Sequence, residues 1–149
     1  MLDHTTKLLD QFVVELSDAA SMSLVQQETE VPFTADDSRG RLDARLRMTL
    51  PLGNDVELAV EVMRAGYPRD VRLAVHRLHA YQAARPASAV PVELCVLADY
   101  LSPGSRKELR QAGINYYDGT GSMRFKHRTC LVVKEHEPPN RPPRRPVKL

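Results

Sequence analysis

The chain has 149 residues, of which 42% are hydrophobic and 27% are charged, with 11 prolines, two cysteines and no tryptophan. This length suits one domain and excludes a two-domain enzyme of ordinary size, and the composition excludes a wholly disordered chain. The formal net charge of +2 hides two unlike parts. The last twelve residues contain four basic residues and no acid, which leaves 17 Lys and Arg against 19 Asp and Glu in residues 1–137, a net charge of −2.

The expected location follows from what the chain lacks. No apolar run approaches the roughly 18 residues of a membrane span, and the N-terminus has neither the basic nor the apolar region of a secretory signal. Cys95 and Cys130 lie in apolar, strand-like stretches, which favours buried thiols of a cytoplasmic protein, with one disulfide as the alternative. We expect a cytoplasmic protein without a membrane partner, with an α/β domain over residues 1–137 and a basic, proline-rich tail or linker over 138–149.

Hydrophobic periodicity predicts nine elements in the order α-β-β-β-α-β-α-β-β: residues 5–20, 23–33, 41–50, 55–63, 68–84, 91–98, 105–112, 114–117 and 128–133. The clearest signal is strict alternation of apolar and polar residues over 41–50 and again over 55–63. With the turn Pro51-Leu52-Gly53-Asn54 between them, these runs predict a β-hairpin with one buried face. Three strands in a meander, followed by alternating helices and strands, predict a mixed sheet with helices on its faces.

The polar face of this hairpin carries Asp43 on its first strand, and Glu61 and Met63 on its second. If the turn centres near Gly53, Arg45 lies opposite Glu61 and Asp43 lies opposite Met63. Two carboxylates on neighbouring strands are the ligands that a hard divalent cation such as Mg²⁺ needs. Cross-strand ion pairs on a solvated sheet face are the alternative, since arginines share this face with the acids.

The stretch RLDARLRMTLPLGNDVELAVEVM and the helix after it resemble the core of the PD-(D/E)xK, or restriction-endonuclease-like, superfamily. The resemblance implies an α/β fold with an αβββαβ core and a mixed sheet flanked by helices. It matches Asp43 and Glu61 with the acids that bind Mg²⁺ and carry catalysis in that family, but the lysine position is Met63. If the site is active, Arg45 or Arg77 would have to supply the missing positive charge. Arg77 stands where many relatives have a glutamine.

The departure at Met63 points away from catalysis, because a thioether can neither orient a water molecule nor stabilise charge on a phosphate. We therefore expect a non-catalytic nuclease-like module of a bacterial DNA-associated protein, regulatory or defensive, that binds nucleic acid or a protein partner. A Mg²⁺-dependent nuclease that uses Asp43 and Glu61 is the first alternative. A protein-interaction or self-associating domain without nucleic-acid binding, which the acidic body favours, is the second.

A second stretch, LADYLSPGSRKELRQAGINYYDGTGSMRF, resembles a segment of bacterial proteins labelled as transcriptional regulators or antitoxin-like. In those proteins a nuclease-like region precedes a winged-helix DNA-binding domain, so the resemblance implies DNA as a partner. Basic side chains then become candidates for phosphate contacts: Arg69, Arg72 and His76 in the second helix, Arg124, Lys126 and Arg128 near the last strand, and Arg141, Arg144 and Arg145 in the tail. A solvated helix face, an edge strand protected by charge and a linker are the respective alternatives for the three groups, and we favour the first for the helix and the last for the tail.

Overall fold

The computed structural model describes residues 3–87 and 89–136. Helices and strands follow one another there as α1 (His4–Ala20), β1 (Ser23–Ala35), β2 (Ser38–Thr49), β3 (Asp55–Gly66), α2 (Pro68–Ala84), β4 (Val92–Leu101), α3 (Pro103–Ala112), β5 (Asn115–Asp118), β6 (Met123–His127) and β7 (Cys130–Lys134). The seven strands form one sheet in chain order. The β3–β4 and β4–β5 pairs are parallel and the others are antiparallel, so the predicted α/β fold with a mixed sheet and an αβββαβ core is confirmed.

Helix α1 covers one face of the sheet. Its apolar residues recur at helical spacing, so that Leu8, Leu9, Phe12 and Leu16 are all buried. They pack against alternate side chains of β2, β3 and β4, and we call this cluster the α1-side core. Within the described residues, no helix has both the length and the apolar content needed to cross a bilayer.

Helices α2 and α3 cover the opposite face. Val71, Ala74, Leu78 and Tyr81 form the buried stripe of α2, and they pack on the strands in what we call the α2-side core. Ser102 caps α3, because its side-chain oxygen accepts a hydrogen bond from the Ser105 N–H at 3.1 Å. On β2, buried residues alternate with more exposed ones, as the predicted single buried face requires, whereas on β3 helix α2 also covers the second face at Ala59 and Glu61.

The predicted register of this hairpin is wrong by two residues. Arg45 lies opposite Ala59, and not opposite Glu61. The Leu50 N–H donates to the Asn54 carbonyl at 2.7 Å, so three residues close the loop, with Gly53 in the left-handed region at φ 93°. The centre of the turn is thus one residue earlier than predicted, which moves every cross-strand partner by two.

The other errors of the sequence interpretation also concern turns. The predicted last strand over residues 128–133 corresponds to β7, and the strand before it, β6, is not predicted; a tight turn in which Arg128 has a φ of 53° joins the two. The polar segment 34–40 is mostly strand, and its turn is reduced to Asp36 and Asp37, at φ 50° and 64°. Short polar residues tolerate this left-handed geometry, which two-residue hairpin turns require. The predicted tail over 138–149 lies outside the described residues.

Candidate functional site

Asp43 and Glu61 meet where β2 separates from β3. The ladder between the two strands ends at Ala44 and Val60, so that Asp43 and Glu61 lie at the fork. The Asp43 N–H donates to Glu61 Oε2 at 2.9 Å, and the Val62 N–H donates to Asp43 Oδ2 at 2.8 Å. Each carboxylate thus satisfies a backbone group that has lost its ladder partner. The structure brings the two candidate metal ligands together in this way.

Helix α2 supplies a cation to this pair. Arg77 donates a hydrogen bond through Nη1 to Glu61 Oε1, and the two residues form an ion pair. The Glu61 side chain is 1% exposed, whereas that of Arg77 is 48% exposed. The alternative in which Glu61 belongs to a solvated sheet face is therefore wrong, because α2 covers that face. Exposed or half-exposed ion pairs do occur farther along the same strands, from Arg45 to Glu28 at 2.7 Å and from Arg47 to Asp55 at 3.0 Å.

Burial changes the acidity of the central carboxyl. Loss of hydration raises the pKa of Glu61 to about 7, and the negative charge of Asp43 acts in the same direction. The hydrogen bonds from the Asp43 N–H and from Arg77 oppose this effect without cancelling it. The Glu61 carboxylate in turn raises the pKa of Arg77, which is fully charged at any physiological pH.

The residues at the fork, as they are placed, do not fit a resident Mg²⁺. Both oxygens of Glu61 accept hydrogen bonds, and so does Asp43 Oδ2. A guanidinium engages the carboxylate that a divalent ion would have to bind. Over residues 3–87 and 89–136, no three His, Cys, Asp or Glu side chains are grouped to hold a metal ion. Met63, which the sequence resemblance matches with a lysine, is half-buried and packs against the α2-side core.

Arg45, the other candidate for the missing lysine, is directed away from the fork. Its guanidinium donates to Glu28 at 2.7 Å and to the Tyr81 hydroxyl at 3.3 Å. Tyr81 in turn donates to Glu57 at 2.6 Å, and Arg85 donates to the same carboxylate at 3.0 Å. This chain of polar contacts connects β1, β2, β3 and α2, so Arg45 has a structural position and not one beside the two acids.

Sequence reasoning did not identify this polar chain. Tyr81 lies one turn after Arg77 and is buried. This four-residue spacing places the two side chains near each other on α2, and it could have indicated that Tyr81 belongs to the same polar region. The contact of Glu28 with Arg45 could not be predicted from the sequence. The register of β1 on β2 shifts between Leu24 and Gln26, and no sequence pattern indicates that shift.

A groove of about 560 Å³ lies beside the fork, between the β1–β2 turn and the outer side of α2. We call it the α2 groove. Its lining includes basic or titratable side chains from both elements, namely Arg39, His76, Arg77 and His79, with Asp36 as an acid. Phe33 shapes its floor: a side chain at Gly40 would meet the Phe33 ring at 2.5 Å, and this ring also packs edge-on against Tyr81 at 5.4 Å. The groove is thus a formed surface and not a gap between loose side chains.

The basic residues predicted to contact phosphates are divided between two places. Arg69, Arg72 and His76 are exposed on α2, although Arg72 pairs with Glu108 at 2.9 Å. Arg124 and Lys126 belong to β6 and Arg128 to the following turn, on the far side of β4 and β5. Only His76 of these residues lines the α2 groove, and the three arginines of the tail, Arg141, Arg144 and Arg145, lie outside the described residues.

No protein-family model matches the chain, and comparison with curated proteins finds no match either. Among solved structures, it is similar to a repair endonuclease from Pyrococcus abyssi, with 15% identity and a TM-score of 0.48 over 79% of this chain and 48% of that one. It is also similar to EndoMS in its apo form, with 13% identity and a TM-score of 0.45 over 79% and 47% of the two chains. It is similar as well to an XisH family protein from Nostoc punctiforme, with 12% identity and a TM-score of 0.45 over 74% of this chain and 91% of that one. The chain spans about half the length of the repair endonuclease and of EndoMS.

Proposed function

We propose that this chain is a non-catalytic nuclease-like module of a bacterial, cytoplasmic DNA-associated protein, regulatory or defensive, and that it binds nucleic acid through the phosphate backbone. The observation that carries the proposal is the ion pair between Arg77 and Glu61. In a metal-dependent nuclease, the carboxylates at this position must be open to a cation and to substrate phosphate. Here they are bound to the protein's own guanidinium and backbone, and Met63 offers no charge.

The α2 groove is the surface to which we assign nucleic-acid binding. Arg39 makes no ion pair within the described residues, and His76 and His79 are exposed beside it. Cations and hydrogen-bond donors on two elements that face each other can follow a phosphate backbone without reading bases. With 5% aromatic residues and no tryptophan in the chain, base stacking has little to contribute.

A cleavage assay tests the non-catalytic part. The protein is incubated with supercoiled and linear DNA in Mg²⁺ and in Mn²⁺, beside the double variant Asp43→Asn/Glu61→Gln purified identically. We expect no cleavage that differs between the two preparations. Cleavage by the wild type that the double variant lacks would overturn the proposal and restore the nuclease alternative.

A binding titration tests the nucleic-acid part. Fluorescence anisotropy with a labelled duplex, repeated at several salt concentrations, should show affinity that falls as salt rises. Arg39→Ala should weaken binding and reduce the salt slope, and His79→Ala should weaken binding through loss of a hydrogen-bonding group, whereas Lys107→Ala, which removes an exposed charge on α3, should do neither. Wild-type protein that fails to bind even at low salt would remove the nucleic-acid role.

One observation favours a second candidate, self-association or binding of a protein partner. Strand β7 is one of the two edge strands of the described sheet, and its Leu131 and Val133 side chains are 59% and 54% exposed. Unpaired edge strands with apolar side chains are sites of strand-to-strand association. Sedimentation of the wild type beside Leu131→Lys tests this candidate: a dimer that the substitution dissociates supports it, and a wild-type monomer excludes self-association.

A further inference from the structure

A second crevice, of about 510 Å³, opens on the α1 side of the sheet. It lies where the parallel strands β3 and β4 end, and the first turns of α1 and the turn after β5 close it. His4 and Lys7 come from α1, and Arg64 from the end of β3. In open α/β sheets, ligands commonly bind in crevices outside the carboxyl ends of parallel strands. The crevice therefore has the position of a ligand-binding site.

Two of its cations have no partner in the part of the chain that the structure describes. Lys7 and Arg64 form neither an ion pair nor a side-chain hydrogen bond there, whereas most arginines of the acidic body are paired with carboxylates. Asp99 is the one acid among the lining residues, and its carboxylate is bonded to His4 at 2.9 Å. Among its described lining residues, the crevice thus presents two unpaired cations, Lys7 and Arg64, against one carboxylate that already has a partner.

The wall of the crevice opposite α1 is the turn after β5, and hydrogen bonds to one buried side chain hold it in place. Buried Asp118 accepts hydrogen bonds from the N–H groups of Leu101, Thr120 and Ser122 and from the Thr120 hydroxyl. The turn also lies directly on β4, since a side chain at Gly119 would meet the Asp99 carbonyl at 2.9 Å. These contacts hold the turn in place before any ligand arrives, which limits the entropy that this wall loses on binding.

We propose that this crevice is a binding site for a phosphate group, with Lys7 and Arg64 as the cations that pair with its oxygens. Arg and Lys are the side chains that bind phosphate in proteins, and the volume lies in the range of small-molecule sites, roughly 300–1,000 Å³. Gln11, which also lines the crevice, can hydrogen-bond a sugar or base attached to the phosphate. The site is on the opposite face of the sheet from the α2 groove, and it stands whether or not that groove binds nucleic acid.

The test uses the full chain and begins with inorganic phosphate. In ¹⁵N–¹H NMR titrations, phosphate should shift the amide signals of Lys7, Arg64, Gly119 and Thr120 along one saturable curve. Arg64→Gln and Lys7→Gln should each weaken this binding by roughly tenfold, because each removes one charge-assisted contact. Lys107→Gln, an exposed lysine of α3, is the matched control and should leave the curve unchanged.

Further titrations identify the source of the phosphate. A nucleoside monophosphate that binds more tightly than inorganic phosphate indicates a nucleotide, and a duplex that binds better with a 5′-phosphate than with a 5′-hydroxyl indicates a nucleic-acid end. Equal responses of the Arg64, Lys7 and Lys107 variants, or no saturable shift at millimolar phosphate, would overturn the proposal. Loss of duplex binding in Arg39→Ala alone would bear on the α2 groove and not on this crevice.

Discussion

Arg77 on α2 donates a hydrogen bond to Glu61 on β3, and it does so from a half-exposed position to a carboxylate that is 1% exposed. The guanidinium neutralises a charge that the protein could not otherwise bury at low cost. It also ties α2 to the fork where β2 and β3 separate. The acid at the fork is thereby held in a structural ion pair.

Replacement of Arg77 by methionine tests this relationship. Above pH 7, where Glu61 is ionised, Arg77→Met should lower the free energy of unfolding by about 2 kcal/mol, because the Glu61 carboxylate loses its cation while it remains buried. Urea denaturation measures the change, with Arg69→Met, an exposed arginine in the first turn of the same helix, as the control. Surface substitutions of that kind usually change stability by less than about 0.5 kcal/mol. Equal effects of the two substitutions would show that the ion pair contributes nothing.

The same variant predicts a response to divalent ions. Without Arg77, Glu61 Oε1 lacks its donor, and the neighbouring carboxylates of Glu61 and Asp43 can offer oxygens to Mg²⁺ or Mn²⁺. The Tm of Arg77→Met should therefore rise when the ion is added. At an ion concentration ten times the dissociation constant, the free energy of unfolding should increase by about 1.4 kcal/mol. The wild type and Arg77→Met/Asp43→Asn should not shift. A wild-type shift that Asp43→Asn abolishes would show that the ion displaces Arg77 unaided.

Much of the fold follows from local signals. Strict alternation predicts β2 and β3, and helical spacing predicts α1 and α2 within a residue or two of their observed bounds. The turns are placed wrongly where the φ of one or two residues sets the geometry of the turn. Gly53, Arg128 and the Asp36–Asp37 pair all have positive φ values, and residue preferences for that region are too weak to place a turn to the residue.

The candidate site shows the same division. Alternation places Asp43 and Glu61 on one face of the hairpin, but their direct opposition depends on a register set by the 50–54 loop. The contact from Arg77 depends on the angle at which α2 crosses the sheet, and that packing angle cannot be predicted from a single sequence. Burial of Glu61 follows from that crossing, which is why its charge state is a property of the tertiary structure.

Tyr81 is predicted to contribute through its hydroxyl as well as its ring. Tyr81→Phe keeps the edge-on contact with Phe33 but removes the donor to Glu57 and the acceptor for Arg45. Since Arg85 and Glu28 remain as partners of those two groups, we expect a loss of only about 1 kcal/mol in the free energy of unfolding. Tyr67→Phe, at a 55% exposed position, is the matched control in the same urea experiment. A Tyr81 effect as small as the Tyr67 effect would mean that the hydroxyl contributes nothing to stability.

Stability should depend on pH through Glu61. Burial raises its pKa from 4.5 in the unfolded chain to about 7 in the folded one, so between these values the folded state holds a proton that the unfolded state has released. The free energy of unfolding then falls as pH rises from 4.5 to 7 and is level beyond that window. Glu61→Gln cannot titrate, so the wild type should lose up to roughly 3 kcal/mol relative to it across the window. Urea denaturation at several pH values measures this difference, with Glu108→Gln, whose ion pair with Arg72 lies at the surface, as the control for removing one carboxylate. A difference between wild type and Glu61→Gln that stays constant from pH 4.5 to 7 would place the folded pKa of Glu61 near its ordinary value and would mean that Arg77 and the Asp43 N–H offset the whole effect of burial.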